Sequence, residues 1–305
     1  MEENCNVVEN IDKKTDKNDI NHIVISGGSV YGFSYYGILR ESNKHQLWNI
    51  NNIKTIYGTS IGSLLSVIIS LKYDWDTLDE YLINRPWHKV YSYDLNSLIN
   101  SISNCGIFTT NVMEDTLKPL LLGKDLNTTT TMKELYEYSN IELHIMATDL
   151  VNFKLIDFSY KTHPNWKVID AVFASCSLPI MFKPIVKDKI IYVDGGYLSN
   201  YPIKECIENG ADPSNILGIR QTFKQTDNFE NITLFDYILL IINRIINFLT
   251  TTIILHQIKI DFQYEIDDIS LSAIFDIASN KKLREEFIEN GKKYFTKYLQ
   301  NNSDI

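Results

Sequence analysis

The sequence predicts an α/β protein: a central, mostly parallel sheet covered by helices, in three layers. Three observations predict it. Short apolar runs alternate with helical stretches along residues 22–219, the pattern of strands joined by crossover helices. Two of those strands run directly into glycine-bearing turns, Gly27-Gly28-Ser29-Val30-Tyr31-Gly32 and Gly58-Thr59-Ser60-Ile61-Gly62, each followed by a helical pattern. A third strand ends in Asp194-Gly195-Gly196. Ligands of such sheets bind beyond the C-terminal ends of the strands. Ser60 and Asp194 both follow strands, so both are expected on that edge.

Residues 22–26 read as a strand and 33–47 as a helix; 53–57 read as a second strand and 61–72 as an apolar helix with small residues in its first turn. A helix over 74–84 starts at the cap residue Asp74. Residues 94–122 read as mostly helical around Gly106, and 131–138 as a short helix. Alternating apolar residues over 141–147 and 153–158 predict two consecutive, paired strands. A helix over 165–174 leads into a loop at 179–184, followed by a strand at 190–193, a helix at 202–209 and a strand at 216–219. Residues 232–255 are strongly apolar, but Asp236, Asn243, Arg244 and Asn247 interrupt them. A membrane span rarely carries Asp and Arg this way. These four form one narrow polar stripe on a helical projection. Two readings stand: a helix whose apolar face packs over the core, or a lipid-facing interfacial helix. Residues 283–299 read as a second amphipathic helix, charged on its outer side.

The two glycine-bearing turns carry the chemistry. A serine between a strand and a helix is pushed out of the sheet, with its hydroxyl at a helix N-terminus. Gly58 and Gly62 have no Cβ, so the backbone can fold tightly around Ser60. Gly27 and Gly28 leave backbone N–H groups unshielded, and such groups bind an anion. No Gly-Lys-Ser/Thr comes after them, so this is not a Walker loop, and the spacing is not that of a dinucleotide fingerprint. The turn reads instead as an oxyanion hole, where each donor contributes about 3–4 kcal/mol of transition-state stabilisation. Serine is a poor nucleophile until a base takes its proton. Asp194, at a strand end before two glycines, is placed to point at a neighbouring strand-end serine. A free aspartate, of pKa about 3.9, is a weak base, so burial is expected to raise its pKa. The alternative is a triad in the order Ser, Asp, His; His256 is the one histidine after Asp194, and no motif surrounds it. The remaining histidines lack metal-ligand spacing, and no calcium loop is present, so no metal and no cofactor is expected.

Together these segments resemble the patatin-like phospholipase family. Four pieces match in the family's order: Gly27-Gly28, the Gly58 to Gly62 turn, the run from Ala174 through Ser175, Cys176 and Pro179 to Pro184, and Asp194-Gly195-Gly196 with Asn200 and Pro202. The likeness covers about residues 21–222, and more loosely a helical C-terminal part. It implies a patatin-like three-layer fold and a Ser–Asp dyad in place of a triad. By position Ser60 would be the nucleophile, Asp194 its base, and the backbone N–H groups of Gly27, Gly28 and Ser29 the oxyanion hole. The implied activity is a lipid acyl hydrolase that releases fatty acids from phospholipids. A lipid-binding pseudoenzyme and a general carboxylesterase are the alternatives. Two positions depart from the family: Ser29 stands where a third glycine is usual, and Tyr31 where a basic residue is usual. A main-chain donor survives Ser29 if φ there is negative, whereas a positive φ would strain the loop.

Composition agrees with this class. A chain of 305 residues can bury one large core. The expected organisation is a disordered tail over 1–20, a catalytic core over 21–222 and a helical part over 223–305 packed on the core. Net charge is −9, which argues against nucleic acid as a partner and against adsorption to anionic membranes by charge alone. The expected partners are a phospholipid or other acyl ester and a transient membrane surface. The four cysteines (Cys5, Cys105, Cys176, Cys206) show no paired spacing and suit a reducing compartment. Residues 1–20 carry no apolar signal region, so a cytoplasmic or peripherally membrane-associated protein is expected. The sequons at Asn127, Asn231 and Asn301 then carry little weight. Abundant Asn, Ile, Lys and Tyr with scarce Pro suggest an AT-rich genome, as in a large DNA virus, a protist or a low-GC bacterium.

Overall fold

The computed structural model describes residues 20–224, 233–252, 257–267 and 270–302. The expected tail, apart from Ile20, lies outside them, as do Cys5, Asn231, His256 and the end of the apolar stretch. The strands are β1 (His22–Ile25), β2 (Thr55–Thr59), β3 (Gly106–Phe108), β4 (Glu142–Asp149), β5 (Lys154–Phe158), β6 (Ile180–Phe182), β7 (Ile185–Lys187), β8 (Ile190–Asp194), β9 (Ile216–Phe223) and β10 (Ile260–Ile266). Eight of them form one sheet in the order β10-β9-β1-β2-β4-β8-β7, with β5 also on β4. From β10 to β4 all neighbours are parallel. β5 and β8 run antiparallel to β4, and β7 antiparallel to β8.

The helices are α1 (Gly32–Lys44), α2 (Ile61–Ser70), α3 (Trp75–Asp79), α4 (Trp87–Val90), α5 (Leu95–Asn104), α6 (Thr110–Leu122), α7 (Met132–Ser139), α8 (Val168–Ser175), α9 (Gly196–Ser199), α10 (Ile203–Glu208), α11 (Leu234–Thr252), α12 (Leu271–Ser279) and α13 (Lys281–Asn301). Local chemistry starts several of them. Asp74 accepts from the Thr77 N–H at 2.8 Å at the head of α3. Thr131 and Glu134 form a reciprocal capping box on α7. The helices lie on both faces of the sheet because strand residues alternate between two cores. Ile23, Ile25 and Ile56 pack with Leu65, Ile68 and Val172 of α2 and α8. Val24, Tyr57 and Met146 pack on the other face with Tyr201, Ile203 and Cys206. The result is the expected three-layer α/β arrangement.

The stretch beyond residue 223 is not helical throughout. β10 extends the parallel sheet beyond β9. Its sequence, Ile-Asp-Phe-Gln-Tyr-Glu-Ile, alternates apolar and polar residues, and Ile260, Phe262 and Ile266 are buried. α13 lies along α1, where two glycines allow close approach. A Cβ on Gly37 would strike the Ile288 carbonyl, and one on Gly291 the Ser34 carbonyl. Ser34 also donates to the Phe287 carbonyl at 2.9 Å. The buried Arg284 donates to the carbonyls of Ile277, Ala278 and Ile83, tying the two C-terminal helices to the segment after α3.

Three further elements differ from expectation. Residues 106–108 interrupt the helical stretch as β3, and pair in parallel with β6 inside the expected 179–184 loop. Gly106 permits this, since a Cβ there would collide with the backbone at Lys183. The 74–84 helix stays α-helical only to Asp79 and becomes a π turn over Glu80–Asn84. β8 runs against β4, so Asp194 does not reach the site from a parallel strand end.

Candidate active site

Ser60 occupies the turn between β2 and α2 with φ 53° and ψ −124°, a conformation outside both flanking elements. A non-glycine residue held there stores about 1–3 kcal/mol of strain. The surroundings enforce it. A Cβ on Gly62 would run into the Ile25 carbonyl, and one on Gly58 into the Gly62 carbonyl and Ser66 hydroxyl. The Ser60 N–H donates to Ser175 Oγ at 2.9 Å, and that hydroxyl donates to the Met146 carbonyl at 2.6 Å. Ser63 Oγ donates to the Ser60 carbonyl at 2.6 Å. Thr59 Oγ1 donates to the Ser199 carbonyl at 2.7 Å, fastening the turn to α9.

Strand register brings Asp194 alongside. Thr59, the last residue of β2, is opposite Met146 of β4. The next β4 residue, Ala147, is opposite Asp194 of β8. Ser60 and Asp194 therefore fall at the same level of the sheet, although β8 arrives from the opposite direction. Asp194 is 2% exposed. Its Oδ1 accepts from the Gly196 N–H at 2.7 Å, and its own N–H donates to the Ser177 carbonyl at 3.2 Å. Gly195 beside it lies against the Met146 carbonyl, with no room for a side chain. Burial pushes the Asp194 carboxyl up to about 7, with the Gly196 N–H and the nearby Ser60 hydroxyl holding the rise back. Oδ2 nevertheless accepts no hydrogen bond among the described residues. The Ser60 hydroxyl is close to the carboxylate without being bonded to it, as is common in enzymes without substrate.

The glycine loop departs from expectation at one of its three donors. The Gly27 N–H donates to the Asn200 carbonyl at 3.0 Å, so it is already used and does not face the site as a free donor. The N–H groups of Gly28 and Ser29 donate to nothing among the described residues. Ser29 has φ 48°, so the position does take the left-handed conformation that favours glycine. Tyr35 supports the loop from below, its hydroxyl donating to the Gly27 carbonyl at 3.2 Å. Tyr31, which replaces a basic residue, anchors the loop to the C-terminal part. Its hydroxyl accepts from the Asp267 N–H at 3.0 Å, and its ring lies 5.3 Å from that of Phe287.

Ser29 and Ser60 open onto a cavity of about 140 Å³. Ile61, Leu64 and Ile68 line it along successive turns of α2, and Trp87, Met113 and Ile277 face them. Cys176 also lines it, beside Ser63 at 4.0 Å, and burial together with the Asp194 charge pushes its thiol pKa up, so the group stays neutral. The chamber suits a long apolar chain with a polar end at Ser60. No group of three or more metal-ligating side chains occurs among the described residues.

α11 closes the other side. Ile246 of α11 lies 3.3 Å from the point a Cβ on Gly196 would occupy, and Leu239 and Ile246 are buried. Asp236, Asn243, Arg244 and Asn247 are half-buried rather than facing water. The outward positions are apolar: Tyr237 is 51% exposed, Ile241 42% and Ile245 49%. The helix thus buries one apolar side and exposes another, sharing features with each of the two readings of this stretch. No helix among the described residues is long and apolar enough to cross a membrane.

Two contributors have no role that the sequence alone discloses. Ser175 lies inside the Ala174–Pro184 run, but its bridge from Met146 to Ser60 joins residues far apart in the chain. Asn200 is likewise a motif position only, until its carbonyl is seen to occupy the Gly27 N–H.

Comparisons with known proteins bear on the family of the chain. The sequence profile of patatin-like phospholipases matches residues 23–207. The uncharacterized protein R571 of Acanthamoeba polyphaga mimivirus is 28% identical over 193 residues, 63% of this chain and 63% of its own. The probable lipid hydrolase 463L of Invertebrate iridescent virus 6 is 29% identical over 192 residues, 61% of this chain and 63% of its own. The chain thus spans less than two thirds of the length of these relatives. VipD from Legionella pneumophila has a similar fold, with a TM-score of 0.53 at 16% identity, over 93% of this chain and 67% of that one. With a profile match over more than half its length, at the residues that build the site, the chain belongs to the patatin-like phospholipase family.

Proposed function

We propose that the protein is a lipid acyl hydrolase that releases fatty acids from phospholipids through an acyl-enzyme on Ser60, with Asp194 as the base. One observation carries the proposal: a serine held in a strained turn stands at the head of an apolar cavity, beside a buried carboxylate of pKa about 7. A base poised near neutral pH combines a useful ionised fraction with proton affinity. In acylation Asp194 takes the Ser60 proton as Oγ bonds to the ester carbon. The N–H groups of Gly28 and Ser29 would face the developing oxyanion. Collapse breaks the bond to the glycerol oxygen, which leaves with the proton from Asp194. Water then releases the fatty acid.

The substrate lies in a membrane, and α11 is the surface proposed to meet it. Its exposed Tyr237, Ile241 and Ile245 sit on the helix whose inner side touches Gly196. Apolar side chains of this kind insert at the headgroup boundary without needing basic charge, which suits a chain of net charge −9.

A second reading, lipid binding without turnover, is favoured by one observation, the left-handed φ of Ser29. The test is fatty-acid release from mixed phospholipid vesicles by the wild type, Ser60→Ala and Asp194→Ala, with fluorophosphonate labelling of each. Release and labelling that disappear in Ser60→Ala, with release lost in Asp194→Ala, support the hydrolase. A folded wild type that binds the vesicles but neither labels nor turns over points instead to the second reading or to a missing activator.

A further inference from the structure

Asn200 comes directly after α9 and is 5% exposed. Its Nδ2 donates to nothing among the described residues. Leaving a buried amide N–H unpaired costs about 1–3 kcal/mol, so a native structure that keeps one calls for an explanation. The surroundings supply it. The Asn200 side chain and Ser60 press on the same side of Gly27, with Ser60 Cβ 3.4 Å from the point a Gly27 Cβ would occupy. At Gly196, Asn200 Oδ1 and Asp194 Oδ1 each lie 3.0 Å from the corresponding point. The amide therefore stands beside both members of the proposed dyad. Neither Asn200 nor Asp194 lines the acyl cavity, so a water held between them would not compete with the acyl chain for space. The second unpaired atom there is an acceptor, Asp194 Oδ2. The two side chains meet at Gly196 through their Oδ1 atoms, and each carries one further buried atom left unpaired, a donor on Asn200 and an acceptor on Asp194, the partners a held water needs.

We propose that Asn200 Nδ2 and Asp194 Oδ2 together hold the water that hydrolyses the Ser60 acyl-enzyme, Asn200 being a positioning residue for that step. The inference rests on the Ser60–Asp194 reading above. The water oxygen bonds to the acyl carbon while Asp194 Oδ2 takes one of its protons. The carbonyl π pair moves onto the oxygen facing Gly28 and Ser29. Collapse of this intermediate breaks the acyl carbon–Oγ bond, Oγ recovers the proton from Asp194, and the fatty acid leaves. Nδ2 binds one lone pair of the water and leaves the other for attack. Acylation by an activated ester needs no such water.

The experiment is burst kinetics of the full chain with 4-nitrophenyl butyrate, comparing the wild type, Asn200→Ala and Asn200→Leu. Both variants lack the donor, and the second keeps the approximate size of the side chain without adding a carboxyl beside Asp194. In both, kcat and KM are expected to fall together by about ten- to a hundredfold while kcat/KM is unchanged, with a burst of product before the slow steady state. Hydroxylamine, which attacks the acyl-enzyme from solution, restores turnover. A merely structural role would lower kcat/KM and the rate of fluorophosphonate labelling, and would not respond to hydroxylamine. That result, or an unchanged kcat, overturns the role of Asn200 alone. Wild-type turnover that survives Ser60→Ala overturns the dyad reading and this proposal with it.

Discussion

If Asp194 is the base proposed above, its burial should make activity and stability change in opposite directions with pH. Its carboxyl is raised from an ordinary 3.8 to about 7, and desolvation is the largest cause. At 1.36 kcal/mol per pH unit, a rise of about three units corresponds to roughly 4 kcal/mol of preference for the protonated form in the folded protein. The folded state therefore holds this proton where the unfolded state has lost it. The associated stability is fully present below pH 3.8 and is lost as pH rises through about 7. Asp194→Asn is the test, because the amide keeps the shape and can still accept from the Gly196 N–H but does not ionise. Urea unfolding of wild type and variant at several pH values gives the difference directly. Near pH 4 the two should be almost equally stable. By pH 8 the variant should be more stable by roughly 4 kcal/mol, although it is inactive. Over the same interval wild-type kcat/KM should rise about tenfold per pH unit up to about 7 and then level off. A stability difference that stays constant with pH, or an activity that persists undiminished at pH 5, would refute the burial argument.

Other perturbations test the same geometry. Ser29→Gly removes a side chain from a left-handed position and should raise stability by about 0.5–1 kcal/mol in urea unfolding, without slowing fluorophosphonate labelling of Ser60. Ser175→Ala leaves the buried Ser60 N–H without its acceptor; it should cost about 1–3 kcal/mol and slow labelling, measured by unfolding midpoint and labelling rate. Ile241→Ser with Ile245→Ser on the outer face of α11 should weaken sedimentation with phospholipid vesicles, with little change toward a soluble ester. Equal losses on both substrates would count against a membrane-facing α11.

The sequence carries the parts of the site that are local. A strand, a glycine-bearing turn and a helix lie within about 15 residues at both Gly27 and Ser60, so the pattern shows on inspection. The same holds for the cap at Asp74 and the capping box at Thr131. The errors lie where distant residues meet. β3 and β6 are each three residues long, too short for periodicity to register, and exist only because they pair. The Gly27 N–H is taken by a carbonyl 173 positions away, and Tyr31 meets Asp267 across 236 positions. β10 is a different case: its period-two alternation is present in the sequence and is masked by the helical patterns on either side.

The direction of β8 shows why a site can be found for an incomplete reason. Asp194 is expected near Ser60 because both follow strands, which holds when the strands are parallel. β8 is antiparallel to β4, and with that orientation a strand end would ordinarily fall at the opposite edge of the sheet. Asp194 reaches Ser60 only because β8 starts beyond the end of β4, with Tyr192 opposite the last β4 residue Asp149, and runs back into the sheet to stop opposite Ala147. The same path explains the chemistry. A strand end that runs inward brings its last side chain into the interior, beneath α9 and α11, and that depth raises the pKa of the carboxylate. On an ordinary outward-pointing strand end Asp194 would be hydrated, near its usual pKa and a poor base for Ser60. The antiparallel turn of the chain before β8 is therefore the structural source of the basicity that the proposed Ser60–Asp194 dyad requires.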